Sequence, residues 1–275
     1  MNCGWDELLR ILPQWMRQKV NDYGRYKLQE LRIRCGRPVE LVLEMGIQSI
    51  NRIVTIEDIH FIVNTASQYS PWAASSISKG YLTAPGGHRI GLCGFAVMAD
   101  GKVTGIREIE SLCIRVARDR KNIAGKISDS SGSILIIGAP GWGKTTLLRD
   151  VARCLAKSRT VTVVDEREEI FPKGFERGVR MDVMRGVTKS EGIEMALRTM
   201  SPDWIAVDEI TAEGDCNAIL HASGCGVHLL ATAHASSAED LRQRIIYRSL
   251  LKSGVFQNLV ILNQKKSFVL ERVQS

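Results

Sequence analysis

The chain has 275 residues, of which 44% are hydrophobic and 24% are charged, a composition typical of a globular protein with one large or two modest domains. It contains no apolar run long enough to span a bilayer, and its first residues do not resemble a signal peptide, so we expect neither feature. Its seven cysteines are scattered without a C-x-x-C pair. That pattern predicts reduced thiols in a cytoplasmic protein and argues against a metal site.

The net charge is +7 and is unevenly placed. Residues 1–121 carry 17 Lys and Arg against 12 Asp and Glu, whereas residues 122–275 carry 20 against 18. Such a balance permits nucleic acid or an anionic membrane face as a partner, and an ordinary basic surface fits it equally well.

Residues 1–121 predict an α+β N-terminal domain. A helical stripe of apolar residues covers 6–21, with an interruption at Pro13, and a second helix is predicted over 56–67 after Thr55 as N-cap. Alternating or β-branched runs predict strands at 30–34, 39–43, 81–83, 89–98 and 112–116.

Residues 122–275 predict a second domain. The polar linker 129–132 lies in the boundary region between the two predicted domains. Strands are predicted to alternate with helices, which favours a parallel sheet with its ligand site beyond the carboxyl ends of the strands. The predicted strands cover 133–137, 160–165, 204–208 and 227–232. The predicted helices cover 143–157, 190–200, 213–223 and 237–252, and a hairpin covers 256–262 and 268–273.

Residues 138–146 match the phosphate-binding loop pattern G-x-x-x-x-G-K-[ST], between an apolar run and a predicted helix. Glycines let successive backbone N–H groups converge on phosphate oxygens, and the helix N-terminus favours negative charge. Lys144 is expected on the β- and γ-phosphates and Thr145 on Mg²⁺. Trp142 is expected either to pack beside the nucleotide or to cover the loop. The predicted cofactor-binding residues are Gly138, Ala139, Pro140, Gly141, Trp142, Gly143, Lys144, Thr145 and Thr146.

An apolar run over 204–207 ends in two acids, Asp208 and Glu209. A buried strand that brings Asp208 next to the phosphate loop would let it hold Mg²⁺, and Glu209 would then orient or deprotonate the attacking water. The alternative is that the acids only cap a helix.

Two other predicted strands end in polar side chains. The strand 160–165 is followed by acids, so Glu166 or Asp165 is expected near the γ-phosphate; the alternative is a solvated charged loop. The strand 227–232 is followed by His234, which could sense the γ-phosphate through a hydrogen bond or be structural.

Phosphoryl transfer also needs positive charge on the transition state, beyond that of one lysine. Arg89, at the start of a predicted strand, and Arg115, near the junction of the predicted domains, are candidate clamps for a nucleotide bound between domains or subunits. Either could instead be an ordinary surface residue.

Together these stretches resemble the secretion-type ATPases of the AAA/RecA-like superfamily, which drive type II and type IV secretion and pilus machines. The similar segments are 138–146, 164–167, 201–210 and 232–234. Upstream segments resemble the stage III sporulation protein AA family; they are 30–34, 36–38, 80–83, 85–91 and 114–118.

The resemblance implies a RecA-like P-loop core, an ATP hydrolase activity with Mg²⁺, and catalytic roles for Lys144, Glu166, Glu209, His234 and the arginines. It also implies a ring, expected to be a hexamer, with ATP at subunit interfaces. The expected partners are membrane proteins of the stage III sporulation A-operon complex. The expected location is the cytoplasmic face of the mother-cell membrane around the forespore, with no specific nucleic acid bound.

Two other functions stay open from the sequence. A nucleic-acid motor shares the same core, and a steeply salt-dependent affinity for DNA would favour it. The other is a scaffold that binds ATP but hardly hydrolyses it. Glu209 argues against this function, and a turnover assay would distinguish such a scaffold from an ATPase.

Overall fold

A computed structural model describes residues 4–24, 27–43, 45–68, 77, 80–172 and 174–273. The chain forms two compact units: Met1–Asp119 with Pro172–Phe175, and Arg120–Phe171 with Glu176–Ser275. Their status as separate domains divided at 121/122 stays a prediction.

Across the described ranges, no helix is long and apolar enough to cross a bilayer. Cys3 lies outside those ranges, and the cysteines within them are free thiols.

The first unit combines helices with antiparallel strands. Its helices are α1 (Trp5–Ile11), α2 (Gln14–Tyr23) and α3 (Ile56–Ala66). Its strands are β1 (Leu28–Arg34), β2 (Pro38–Leu43), β3 (Gly46–Ile53), β4 (Tyr81–Thr83), β5 (Arg89–Ala99) and β6 (Lys102–Arg115). Within the described residues they form one sheet in the order β3-β2-β1-β6-β5-β4.

One face of this sheet is apolar because alternate side chains point to the same side. Leu31, Ile33, Ile90 and Ile114 are fully buried there and share a core with residues of α1 to α3. The predicted interruption at Pro13 is confirmed, since α1 ends at Ile11 and α2 begins at Gln14.

His88 is a buried structural residue of the first unit. Its Nδ1 accepts a hydrogen bond from the backbone N–H of Ala117 (3.1 Å), so its Nε2 donates to the carbonyl of Gly4 (2.6 Å). Burial lowers the pKa of His88, which favours this neutral form. His88 therefore ties the start of α1 to the end of β6.

The sequence missed β3 and the first half of β6. Only Ile50 of β3 is buried, because β3 is an edge strand and lacks the alternation that marks a half-buried one. β5 and β6 form a single long hairpin around Asp100 and Gly101, which both have positive φ.

The second unit has the predicted alternation of strands and helices. Its helices are α4 (Lys144–Leu155), α5 (Lys189–Thr199), α6 (Glu213–Gly224), α7 (Ala238–Gln243) and α8 (Arg248–Ser253). Its strands are β7 (Ile134–Ile137), β8 (Val161–Asp165), β9 (Met181–Arg185), β10 (Trp204–Val207), β11 (His228–Ala233), β12 (Asn258–Leu262) and β13 (Phe268–Arg272).

These strands form one sheet in the order β13-β12-β7-β11-β10-β8-β9 within the described residues. Every neighbouring pair is parallel except the β12–β13 hairpin, so the predicted parallel sheet and terminal hairpin are confirmed. The central strands β7, β8 and β10 are buried along their whole length, which is typical of a parallel sheet covered on both faces. The ends of β7, β11, β10 and β8 therefore meet at one edge.

Two predictions for this unit need correction. The single helix over 237–252 is wrong: Arg244 is extended, and a 3₁₀ turn at Ile245–Tyr247 separates α7 from α8. The sequence also missed β9, an edge strand whose one fully buried side chain is Met181. Both errors concern segments where tertiary contacts override the local pattern.

Helix α5 packs closely on β8 through Gly192. A Cβ atom at this position would lie 2.4 Å from Cγ1 of Val164, a stiff β-branched side chain in a buried strand. By contrast, a Cβ atom at Gly214 in α6 would have nothing within 4 Å. The close approach sets the distance of α5 from the strand that ends at Asp165.

We expect Gly192→Ala to lower the free energy of unfolding by about 1–3 kcal/mol, because the added methyl group overpacks the α5–β8 contact. The matched control is Gly214→Ala, which should leave stability unchanged or raise it by up to ~1 kcal/mol through helix propensity. Urea unfolding of both variants tests this. Equal stabilities for the two would contradict the close packing.

Candidate functional site

The loop 138–143 lies between buried β7 and helix α4, as the motif predicts. Gly141 (φ 78°) and Gly143 (φ 99°) both adopt the left-handed backbone region that other residues rarely enter. These conformations shape the turn that ends at the N-terminus of α4. The local sequence thus builds, at the carboxyl edge of the sheet, a glycine-rich turn into a helix N-terminus, which is the backbone arrangement that anion-binding loops use.

Trp142 covers the start of this loop. Its ring lies 3.5 Å from a Cβ position built on Gly138, and the side chain of Lys144 approaches the same position. A contact of Trp142 with the nucleotide, the other expectation, stays a prediction.

Lys144 is the first residue of α4 and is buried. Its Nζ donates to the carbonyls of Gly138 (2.8 Å) and Ala139 (3.2 Å) and to Nδ1 of His234 (3.0 Å). Burial lowers the pKa of Lys144, and the carboxylates of Asp208 and Glu209 oppose that shift. The ammonium is therefore held at the mouth of the loop by groups that an anion can replace.

The Asp208 carboxylate joins three elements. Oγ1 of Thr145, on α4, donates to its Oδ2 (2.6 Å), and Oγ1 of Thr232, on β11, donates to its Oδ1 (2.5 Å). Thr232 also accepts a hydrogen bond from the backbone N–H of Glu209 (2.7 Å). The sequence analysis did not select Thr232, although its place one strand away from Asp208 in a parallel sheet is a signal for it.

Glu209 follows Asp208 and has a positive φ of 56°, which is uncommon for a residue other than glycine. Its Oε1 lies 2.7 Å from Nε2 of His234, and its Oε2 accepts from Nη1 of Arg167 (3.0 Å). Because the ammonium of Lys144 can only donate, Nδ1 of His234 accepts and Nε2–H donates to Glu209. His234 thus links Lys144 to Glu209.

Asp165 is turned into its own loop. It is 1% exposed and accepts hydrogen bonds from the backbone N–H groups of Glu169, Ile170 and Phe171. Burial raises its pKa, and these N–H groups oppose the rise. The guanidinium of Arg149 donates to the carbonyls of Glu169 and Ile170 in the same loop. The loop after β8 is therefore fixed through both its amides and its carbonyls.

Glu166 is the acid of this loop that faces the other site residues. Its Oε2 accepts from Nζ of Lys189 (2.6 Å), and it lines a small pocket of about 20 Å³ together with Lys189, Asp208 and Glu209. A polar pocket of this size has room for about one water molecule. The sequence analysis missed Lys189, because a lysine at the start of a helix carries no motif.

Arg89 and Arg115 lie in the first unit, on the face of its sheet opposite the buried one. They are direct cross-strand partners on β5 and β6. The Arg89 guanidinium lies 4.9 Å from the centroid of the Tyr81 ring, and Nε of Arg115 lies 3.8 Å from Oε2 of Glu30. Their roles as clamps stay predictions.

The oxygen donors of Thr145 and Asp208 fit Mg²⁺. This ion prefers one or two protein oxygens together with waters and phosphate oxygens, in contrast to a cage of protein ligands. The described residues contain no cluster of three or more His, Cys, Asp or Glu side chains that could hold a metal ion.

We expect Thr232→Val to lower the free energy of unfolding by about 1–3 kcal/mol, because it leaves the partly buried N–H of Glu209 and Oδ1 of Asp208 without their hydroxyl partner. The matched control is Thr162→Val on β8, whose buried hydroxyl has no hydrogen-bond partner among the described residues. That variant should be neutral or more stable. Thermal and urea unfolding measure both effects, and similar losses in the two variants would contradict this account.

Comparison with known proteins identifies the family. The model of the family described as "Sporulation stage III, protein AA" matches residues 5–271. The stage III sporulation protein AA of Bacillus subtilis (strain 168) is 35% identical over 283 residues, covering 95% of this chain and 92% of that protein. The protein SEEDLING PLASTID DEVELOPMENT 1 of Arabidopsis thaliana is 29% identical over 258 residues, covering 86% of this chain and 34% of that protein.

Solved structures share the fold. The Legionella pneumophila ATPase DotB matches with a TM-score of 0.59 at 19% identity, covering 95% of this chain and 80% of that one. The pilus retraction motor PilT, solved with bound ADP, matches with a TM-score of 0.64 at 13% identity, covering 93% and 80%. The chain therefore belongs to the stage III sporulation protein AA family, and it has the α/β fold of DotB and PilT.

Proposed function

We propose that this chain is a Mg²⁺-dependent ATPase. The observation that carries the proposal is the hydrogen bond between Thr145, next to the P-loop lysine, and Asp208 at the end of β10. It places an ammonium, a hydroxyl and two acids at one edge of a parallel sheet, beside a loop shaped for phosphate. The solved neighbour named as an ATPase, DotB, and the pilus retraction motor PilT, solved with bound ADP, support the same activity.

The loop 138–143 and Lys144 would bind the triphosphate. The backbone N–H groups of the loop and the N-terminus of α4 donate to phosphate oxygens, and Lys144 moves from the carbonyls of Gly138 and Ala139 to the β- and γ-phosphates. Thr145 and Asp208 would hold Mg²⁺, which when bound neutralises charge on the phosphate oxygens.

Glu209 is the group that would prepare the water. One of its oxygens is held by His234 and the other by Arg167, so its carboxylate is oriented before any substrate enters. A water in the pocket beside Glu209 and Glu166 would give its proton to Glu209 as its oxygen bonds to the γ-phosphorus. The bond from that phosphorus to the β,γ-bridging oxygen would break, and ADP would leave. His234 changes its hydrogen-bonding partners when Lys144 leaves for the phosphates, and this supports its role as a sensor.

At the level of the assembly, we propose a ring, six copies being the expected number, in which ATP hydrolysis changes the angle between the two units. Arg89 and Arg115 would then supply positive charge to the nucleotide. Membership of the sporulation family supports a partner complex of stage III A-operon membrane proteins, with the ATPase on the cytoplasmic face of the mother-cell membrane around the forespore. No specific nucleic acid is part of this proposal.

We expect Glu209→Gln to lower kcat for ATP by about 10²- to 10⁴-fold while it keeps nucleotide affinity, because the amide cannot accept the proton of the water. Lys144→Ala should lose affinity as well as turnover. Phosphate release and titration with a non-hydrolysable ATP analogue measure the two quantities. The exposed acid Glu271 provides the control variant Glu271→Gln, which should match the wild type. Undiminished turnover in Glu209→Gln would remove Glu209 from this role.

The rate of ATP hydrolysis per chain should rise with protein concentration if subunits share the catalytic site. Mass action makes assembly depend on concentration, so turnover should follow the fraction of assembled chain measured by light scattering. A rate per chain that is constant from monomer to assembly would contradict a shared site.

A further inference from the structure

Lys189 is a buried cation that the P-loop chemistry does not call for. It is the first residue of α5 and its side chain is 7% exposed. An ammonium at a helix N-terminus meets the positive end of the helix dipole, and burial removes its water. Both effects oppose this placement, so its partners must compensate.

Its partners come from the two segments that frame the candidate hydrolytic site. Nζ of Lys189 lies 2.6 Å from Oε2 of Glu166, in the loop after β8, and 3.7 Å from Oδ2 of Asp215, in the first turn of α6. The same Oδ2 of Asp215 accepts hydrogen bonds from the backbone N–H groups of Thr211 and Ala212. Lys189 therefore connects Glu166 to the turn that follows Asp208 and Glu209.

The charges around Glu166 make this connection necessary. Asp208 and Glu209 line the same small pocket as Glu166, and like charges that share one pocket repel each other. Arg167 is engaged by Glu209, and Asp165 is engaged by its own loop. Among the lining residues, Lys189 is thus the cation whose contacts draw Glu166 to the pocket wall.

We propose that Lys189 is a positioning residue for the hydrolytic step: its buried ammonium holds the carboxylate of Glu166 at the water-sized pocket beside Asp208 and Glu209. Through Asp215, the same ammonium fixes Glu166 relative to the turn after β10. This inference rests on the proposed ATPase function. Lys189 lines the same pocket, and its proposed action on the hydrolytic step runs through the carboxylate of Glu166.

The test compares Lys189→Met, Lys189→Arg and the double variant Lys189→Met/Glu166→Gln. Removal of the charge should lower kcat for ATP by about 10- to 100-fold through misplacement of Glu166. KM and the affinity for a non-hydrolysable ATP analogue should stay within about threefold of wild type, because the P-loop is untouched. Lys189→Arg should recover part of kcat. The matched control is Lys252→Met on the exposed side of α8.

The double variant separates positioning from general damage. If Lys189 acts through Glu166, adding Lys189→Met to Glu166→Gln should lower kcat only slightly further. The reason is that the effects of substitutions within one network are non-additive. Should Lys189→Met fail to fold, Lys189→Gln keeps a hydrogen-bond donor for Glu166 and should give a smaller loss of kcat, again with unchanged affinity.

Three results would overturn the inference: unchanged kcat in Lys189→Met, multiplicative losses in the double variant, or an equal loss of analogue affinity. If the wild type does not hydrolyse ATP at any concentration, the proposed function falls and this inference falls with it. If the wild type hydrolyses ATP and Lys189→Met does so equally well, only the inference about Lys189 is wrong and the proposed function stands.

Discussion

The shared carboxylate of Asp208 is the interaction on which the site depends. It accepts one hydroxyl from Thr145, next to the phosphate loop, and one from Thr232, on the neighbouring strand β11. The end of β10 is thereby fixed to α4 and β11 at once. Since Thr232 also accepts the N–H of Glu209, the same hydroxyl sets the position of the next acid. Buried charged groups are tolerated when such partners satisfy them.

The reactive groups of the site are paired with one another. Lys144 is held by its own loop and by His234, while Glu209 is held by His234 and Arg167. A phosphate oxygen can take the place of a carbonyl or an imidazole nitrogen as the acceptor for the ammonium. In the proposed function, nucleotide binding would exchange one set of partners for another, so the site would need little reorganisation when substrate arrives. Glu166 is likewise paired with a protein group, since its carboxylate accepts a hydrogen bond from Lys189.

Position along the chain says little about these contacts. The strand order β7-β11-β10-β8 brings together the ends of strands that are far apart in sequence. Asp208, Thr232 and Glu166 meet because parallel strands present their carboxyl ends at one edge. The close packing of α5 on Val164 through Gly192 brings Lys189 within reach of that edge. The fold thus assembles the site from segments that carry no common motif.

The sequence by itself determined the phosphate loop and the alternating elements around it. The loop conformation depends on neighbouring residues, such as the glycines at 141 and 143, and an apolar run marks each central strand. It also selected Asp208, Glu209, Glu166 and His234 as strand-end residues. Tertiary structure alone decided that Asp165 serves its own loop and that Thr232, Arg167 and Lys189 join the site. Tertiary structure also decided that β3 and β9 form as edge strands and that the helix predicted over 237–252 is interrupted at Arg244. Their long-range contacts leave no local periodicity, because the partner that fixes each one lies elsewhere in the chain.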